Sequence, residues 1–180
     1  KNFSRELWSF PRDKKLILFG AIGAVTDLRK GFLELCDALK NIDVNNVELV
    51  VFGSKKPDNP IFLNFKTHYI DHLNDDISLI TLYSSVDVMV VPSIQEAFGQ
   101  TASEAMACGV PTVAFNDTGL KDIIVHKKTG FLARANDTKD IANGIQWILN
   151  NDDYKQLSIA SRMQIVTHFD YKVIAKKYIE

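Results

Sequence analysis

The sequence has few cysteines and no long apolar runs. The two cysteines, Cys36 and Cys108, stand among small or apolar residues, too few for the disulfide framework of a small secreted domain. They predict two buried, reduced thiols and a cytoplasmic setting. Apolar runs such as Val88 to Val91 last only a few residues, whereas a membrane-spanning helix needs ~20. We therefore expect neither a transmembrane helix nor a signal peptide.

An excess of charge of either sign is also missing. The 21 Lys and Arg residues nearly cancel the 22 Asp and Glu residues, so the formal net charge is −1. No global basic field is present to hold a nucleic acid or an anionic membrane, and any basic site must be local. The 180 residues are 46% hydrophobic and 24% charged, which is typical of one globular domain and too short for two. Because the first residue is Lys1 rather than Met, we expect further sequence before it.

Four short apolar runs predict a parallel sheet. They do not alternate with polar residues, and each ends near Gly, Pro or Asn, which is typical of strands covered on both faces. Helical periods lie between them, the first after Gly31, so the pattern predicts an α/β fold with a Rossmann-like, doubly wound sheet. The runs are Leu16 to Phe19, Val47 to Phe52, Val88 to Val91 and Thr112 to Phe115.

The rest of the chain gives weaker or purely helical signals. A further strand is predicted to cover Phe62 to Ile70, and a helix is predicted to begin near Asn74. From residue 137 onward only helical periods occur, with breaks near 150–153 and 169–170. We expect residues 1–14 to be an inter-domain linker, 15–168 the Rossmann-like domain and 169–180 a C-terminal helix.

In an open parallel sheet, ligands bind in the loops at the carboxyl ends of the strands. The loop after the first predicted strand ends with Arg29 and Lys30, just before a helix. A helix N-terminus already carries about half a positive charge, so two adjacent cations there are unfavourable. An anion between the cations and the helix amides would remove this cost, as would side chains that point into water. The spacing leaves both explanations open.

The loop after the strand at Val88 to Val91 leads into a second candidate site. Gly99 allows close backbone approach, and the next helix offers free N–H groups to a phosphate. On that helix Glu104 has no cation three or four residues away, although a buried carboxylate needs hydrogen-bond donors. Sugar hydroxyls are suitable donors. A structural Glu104, paired with a backbone amide or a distant Lys, is the alternative.

Other groups give little support for chemistry. His68 and His72 are four residues apart, but the strand predicted there would not bring both to one metal. Cys108 stands at an apolar helix end, so a Cys/His nucleophile is unsupported. No Walker pattern occurs, and His126 to Lys128, just before Thr129-Gly130, are predicted to form a solvated turn.

The segment from Pro92 to Pro111 resembles the signature of retaining glycosyltransferases of family 4. Its two glutamates, Glu96 and Glu104, are separated by seven residues, with Phe98-Gly99 between them. The similarity covers nearly the whole chain. Further matching segments are Phe19-Gly20, Lys30-Gly31, Val51 to Gly53, Leu82-Tyr83 with Asp87, Gly119, Asp122 to Ile124 and Thr129 to Leu132.

This resemblance implies a GT-B fold, which has two Rossmann-like domains with the donor held mainly by the second. The chain resembles that second domain, so its implied partners are a missing N-terminal domain, a nucleoside diphosphate sugar, and a glycan or lipid-linked acceptor. The implied activity is sugar transfer with retention in polysaccharide or glycolipid assembly, in the cytoplasm or at the inner face of the membrane. The missing domain would make any membrane contact and receive the helix at 169–180, and the chain alone is expected to be inactive.

The resemblance also implies roles for individual residues. Glu96 would orient the transferred sugar, Glu104 would accept hydrogen bonds from the ribose, and Arg29 and Lys30 would neutralise the diphosphate. Ala21 stands where many relatives have Arg, so we expect Arg29 to supply that charge. No cofactor or metal is implied, in agreement with the lack of an Asp-x-Asp triplet. The remaining substrate contacts would come from Gly20, Ala97, Phe98, Gly99, Gln100 and Thr101.

Three other classes of protein are alternatives to a glycosyltransferase. A nicotinamide-dependent oxidoreductase would need a Gly-x-Gly-x-x-Gly loop and an acidic residue after the second strand. The sequence there is Val51-Phe52-Gly53-Ser54, which fits poorly. A GT-B epimerase or phosphorylase, and a non-catalytic nucleotide-sugar binding module, both stay open.

Overall fold

The computed structural model describes residues 1–20, 23, 25–58, 60, 63–64 and 66–179. Six strands form one parallel sheet: β1 (Lys15–Gly20), β2 (Val47–Phe52), β3 (Thr67–Ile70), β4 (Val88–Val91), β5 (Thr112–Phe115) and β6 (Gly130–Ala133). Their order is β3-β2-β1-β4-β5-β6, and every neighbouring pair is parallel. The order reverses between β1 and β4, and ligands bind at such a switch point in doubly wound folds.

The four strands predicted from apolar runs are confirmed. The weaker strand is shorter than predicted, since β3 begins at Thr67 and Phe62 lies outside the described residues. The edge strand β6 was not predicted, because its Gly-Phe-Leu-Ala segment is short and lacks a β-branched residue. The solvated turn before β6 is confirmed at His126 to Lys128, which are exposed.

Helices cover both faces of the sheet: α1 (Asn2–Leu7), α2 (Phe32–Leu39), α3 (Asp76–Ser85), α4 (Gln100–Ala107), α5 (Thr138–Leu149), α6 (Tyr154–His168) and α7 (Tyr171–Ile179). Ile17 and Phe19 pack with α2 and α5 on one face. Leu16 and Leu18 pack with α3 and α4 on the other. Because successive strand residues face opposite sides, a strand buried on both faces is apolar throughout.

The C-terminal region is helical, with breaks where the sequence predicts them. Helices α5, α6 and α7 are separated near residues 150–153 and 169–170. Helix α7 contributes no buried residue, and its packing toward another domain stays a prediction. Within the described residues, no helix is long and apolar enough to span a bilayer.

The two cysteines differ in burial. Cys36 is buried in α2, and burial raises the pKa of its thiol to about 11. Cys108 was predicted to be buried but is only half-buried, because it caps the C-terminal end of α4.

The first residues are fastened to the domain by a buried ion pair. Helix α1 packs against α3, and the Arg5 guanidinium lies 2.7 Å from the Asp87 carboxylate. The same carboxylate accepts a 2.6 Å hydrogen bond from the Leu16 amide, and Arg5 Nε donates to the Ser85 carbonyl at 2.8 Å. The predicted linker is therefore partly helical and packed, although its role between domains stays a prediction.

Because of this ion pair, we expect two substitutions of acidic residues to differ widely in their effect on the free energy of unfolding. Asp87→Ala leaves the buried Arg5 without its carboxylate, and we expect a loss of about 3–5 kcal/mol in the free energy of unfolding. Glu6→Ala is the control, because Glu6 pairs with Arg12 at 2.9 Å on the exposed surface and should contribute less than about 1 kcal/mol. Urea denaturation of both variants measures the difference. Equal losses would show that Arg5 does not depend on Asp87.

Candidate functional site

The loops that follow β1 and β4 meet at the switch point of the sheet. The Ile94 amide donates a 2.9 Å hydrogen bond to the Arg29 carbonyl. Next to it, Gly31 has a φ of 77°, and a Cβ there would collide with the carbonyl oxygen of Pro92. Only glycine lets these two backbones approach so closely. The two loops therefore pack directly against each other and together form the floor of the cleft.

The β4 loop is also held on its other side. The Gly119 amide donates a 2.9 Å hydrogen bond to the Glu96 carbonyl, and a Cβ at Gly119 would collide with the Ala97 carbonyl oxygen. The loop between β4 and α4 is thus fixed from two directions, and with it the backbone that carries Glu96.

Lys30 and Glu96 form an ion pair at the centre of the cleft. Lys30 Nζ lies 3.1 Å from Glu96 Oε2, and the two side chains are 27% and 18% exposed. The pair lies where a cavity of about 600 Å³ meets one of about 370 Å³, because both residues line both cavities. The larger is also lined by Arg29, Ile94, Gln95, Ala97 and Asp117 to Gly119. The smaller is also lined by Phe52, Gly53, His72, Leu73, Leu79, Gln100, Thr101 and Glu104.

Glu104 has hydrogen-bond partners of its own. The Tyr83 hydroxyl donates to Glu104 Oε2 at 2.8 Å, and Gln100 Nε2 donates to Oε1 at 2.9 Å. Burial, and then the neighbouring Glu104 charge, raises the pKa of Tyr83, which keeps its hydroxyl a donor. The sequence predicts that no cation on α4 pairs with Glu104, and in the structure this half-buried carboxylate is held by two neutral donors.

Arg29 is paired with its near neighbour in the chain. Its Nε and NH2 donate to the two carboxylate oxygens of Asp27 at 3.0 and 2.7 Å. The hydrogen bonds from Arg29 lower the pKa of Asp27 to about 2. The Arg29 side chain is 68% exposed and lies on the rim of the larger cavity. Both cations predicted to face an anion thus have an acidic partner, Asp27 or Glu96.

The other predicted site residues are spread over the cleft. Ala97 lines the larger cavity, and Gln100 and Thr101 line the smaller one. Gly20 ends β1 and lines a narrow space of about 10 Å³, to which Lys30 and Glu96 also contribute. The Phe98 ring instead packs against Phe169, with 5.8 Å between ring centroids.

Gly99 and Ala21 are the remaining positions of the predicted site. Gly99 has a φ of 87° and caps the N-terminus of α4, as expected for the loop that leads into this helix. Ala21 lies outside the described residues.

Sequence reasoning missed several residues that shape the cleft. Tyr83 was part of the family resemblance but had no assigned role, and the structure places its hydroxyl on Glu104. Asp117 and Thr118 line the larger cavity. They follow β5, so the rule that ligands bind after the carboxyl ends of strands could have found them.

The described residues contain no group of three or more His, Cys, Asp and Glu side chains suited to a metal ion. His68, one of the pair four residues apart, lies on β3 with Nε2 2.6 Å from Glu48 Oε2. The independence from metals implied by the resemblance stays a prediction.

Comparison with known proteins identifies the class to which this fold and cleft belong. The family model described as "Glycosyl transferases group 1" matches residues 2–164. The chain therefore belongs to the group 1 glycosyltransferases, as the signature around Glu96 and Glu104 predicts.

Individual relatives agree with this assignment. The capsular polysaccharide biosynthesis glycosyltransferase CapM of Staphylococcus aureus is 32% identical over 87% of this chain and 43% of its own length. Sucrose-phosphate synthase of Thermosynechococcus elongatus superposes with a TM-score of 0.84 at 27% identity, over 99% of this chain and 47% of that one. The chain spans less than half the length of both.

A third comparison bears on the fold alone. The Anabaena protein HepE, solved with UDP and glucose, superposes with a TM-score of 0.79 at 19% identity, over 99% of this chain and 50% of its own. The predicted fold class, a Rossmann-like half of the GT-B fold with a helical C-terminal tail, is confirmed.

The contact between the two loops predicts a difference between two glycine substitutions. Gly31 and Gly23 both have left-handed backbones, with φ of 77° and 69°, so alanine at either should cost about 1 kcal/mol in unfolding free energy. At Gly31 the new Cβ also meets the Pro92 carbonyl, whereas at Gly23 its nearest neighbour is Thr26 Oγ1 at 3.5 Å.

We therefore expect Gly31→Ala to lower stability well beyond the Gly23→Ala control. Amide hydrogen exchange should be faster in residues 93–98 of the Gly31→Ala variant only. The same unfolding free energy and exchange rates in both variants would contradict the close packing of the two loops.

Proposed function

We propose that this chain is the donor-binding domain of a retaining, metal-independent glycosyltransferase. Its substrate is a nucleoside diphosphate sugar, and the sugar passes to a glycan or lipid-linked acceptor in polysaccharide or glycolipid assembly. The main supporting observation is the Lys30–Glu96 ion pair where two cavities meet. A diphosphate at this junction would direct the sugar into the larger cavity and the nucleoside into the smaller one.

The charges at the junction suit a diphosphate. Lys30 supplies a partly buried ammonium group, Arg29 supplies a guanidinium on the rim, and the first turn of α4 supplies unpaired N–H groups. These donors are fixed before the reaction, so they stabilise the negative charge that develops on the leaving diphosphate at little reorganisation cost. No resident cofactor is needed in this proposal.

The two glutamates divide the remaining work. Tyr83 and Gln100 each occupy one lone pair of Glu104, and each carboxylate oxygen has a second lone pair. These two sites can accept the neighbouring hydroxyls of a ribose in the smaller cavity. Glu96 lines both cavities and, in this proposal, orients the sugar in the larger one. In this proposal, acceptor contacts come from sequence outside this chain, which spans less than half the length of CapM and of sucrose-phosphate synthase.

The relatives guide the choice of ligands for a test. CapM is named for capsular polysaccharide biosynthesis, and HepE was solved with UDP and glucose. UDP is therefore the first nucleotide to measure, with GDP and ADP beside it, by isothermal titration calorimetry. No binding of any of them at millimolar concentration would refute a donor site in this chain.

The first prediction from this proposal concerns Glu104. Because a hydrogen bond to a charged group contributes about 1.5–3 kcal/mol, Glu104→Gln should weaken binding of the preferred nucleotide roughly ten- to a hundredfold. The exposed Glu6→Gln on α1 serves as the control and should bind normally. An unchanged affinity in folded Glu104→Gln protein would return Glu104 to a purely structural role.

A second prediction concerns Arg29. Arg29→Ala should weaken UDP roughly tenfold but leave uridine unaffected, because only UDP carries the diphosphate. Arg134→Ala is a matched control, since Arg134 is 72% exposed and also paired with a nearby Asp outside the cleft. Calorimetry with both ligands measures the effect. Equal losses for UDP and uridine would contradict a phosphate role.

A further inference from the structure

Ser93 is a buried hydroxyl without a visible purpose in the fold. It follows β4, is 1% exposed, and its Oγ has no hydrogen-bond partner among the described residues. A buried hydroxyl without a partner destabilises a protein, so native structures rarely keep one without a reason. The position of Ser93 in the cleft indicates what its partner is.

Ser93 lines a narrow space that shares Lys30 and Glu96 with both larger cavities. This space has a volume of about 10 Å³, and its lining includes Gly20, Lys30, Glu96 and Thr101. A volume of this size holds about one oxygen atom. An oxygen there would lie among the Ser93 hydroxyl, the Lys30 side chain and the end of β1.

The position of the hydroxyl is set by the same contacts that build the cleft. The Pro92 carbonyl before it packs against Gly31, and the Ile94 amide after it donates to Arg29. Ser93 is thus held on both sides by the loop that carries Lys30. A donor fixed in this way needs little reorganisation to bind a ligand.

Lys30 and Glu96 both line the space and pair with each other, and the Lys30 ammonium has further N–H donors for an anionic oxygen. A hydroxyl donates a stronger hydrogen bond to a charged acceptor than to a neutral one. The Lys30 ammonium likewise attracts an anionic oxygen more strongly than the oxygen of a water molecule. We propose that Ser93 is a donor-binding residue whose hydroxyl donates to a diphosphate oxygen that Lys30 also binds. This inference rests on the proposed function and adds a contact between the phosphate and the floor of the cleft.

The test is Ser93→Ala, measured with UDP and with uridine by calorimetry and without ligand by thermal unfolding. We expect affinity for UDP to fall about tenfold and affinity for uridine to change less than about twofold. The melting temperature of the free protein should stay the same or rise, because the unpaired hydroxyl is gone. Ser93→Cys, which keeps only a weak donor on a larger atom, should also bind UDP more weakly than the unchanged protein.

Thr112→Val is the matched control. Thr112 is the other buried side chain whose oxygen lacks a partner among the described residues, and it lies at the amino end of β5, away from the cleft. Its substitution should likewise leave the melting temperature the same or higher, but with unchanged affinity for UDP.

Three results would overturn the inference. Ser93→Ala could bind UDP like the unchanged protein, or it could lose UDP and uridine equally. It could also melt at a lower temperature with an unchanged preference for UDP, which would show that Ser93 only holds an ordered water. If the unchanged protein binds none of UDP, GDP and ADP, the proposed function fails as well, so the two failures are distinguishable.

Discussion

The cleft depends on one close backbone contact, that between Gly31 and the Pro92 carbonyl. The two residues belong to loops after β1 and β4, where the strand order reverses. Because no side chain separates the loops, Lys30 on one comes within 3.1 Å of Glu96 on the other. The contact thus brings opposite charges together from segments far apart in the chain. It also holds the β4 loop in place at Ser93, whose neighbours Pro92 and Ile94 contact the β1 loop.

The charged groups of the cleft are paired, whether exposed like Arg29 or partly buried like Lys30 and Glu96. Lys30 is matched by Glu96, Arg29 by Asp27, and Glu104 by the neutral donors Tyr83 and Gln100. A partly buried charge without a partner would be costly. Each pair is incomplete, since ammonium, guanidinium and carboxylate groups have more hydrogen-bonding capacity than one partner uses. The site is therefore stable by itself and still able to bind a polar ligand.

The amino and carboxyl ends of the strands have different roles. At the amino ends of the strands, the buried Arg5–Asp87 pair joins α1, the α3–β4 turn and the start of β1. At the carboxyl ends, the loops carry the cleft. Stability and ligand chemistry are thus separated by the length of the strands, so the loops of the cleft can keep an unpaired hydroxyl.

The sequence by itself determined the strands at the centre of the sheet, the three C-terminal helices and the two-glutamate signature. These features follow from local rules, because a strand buried on both faces must be apolar throughout and a helix face repeats every three to four residues. The edge strand β6 was not predicted by these rules, because its four residues, Gly-Phe-Leu-Ala, are too few to show a pattern.

Only the tertiary structure decided which side chains meet. Tyr83 and Glu104 are 21 residues apart, and Lys30 and Glu96 are 66 apart, so no local spacing reveals either pair. The unpaired state of Ser93 was equally hidden, since a serine after a strand usually finds water or a backbone partner. Such contacts depend on how two loops pack against each other. The loops become neighbours only because the fold places β1 beside β4 in the sheet.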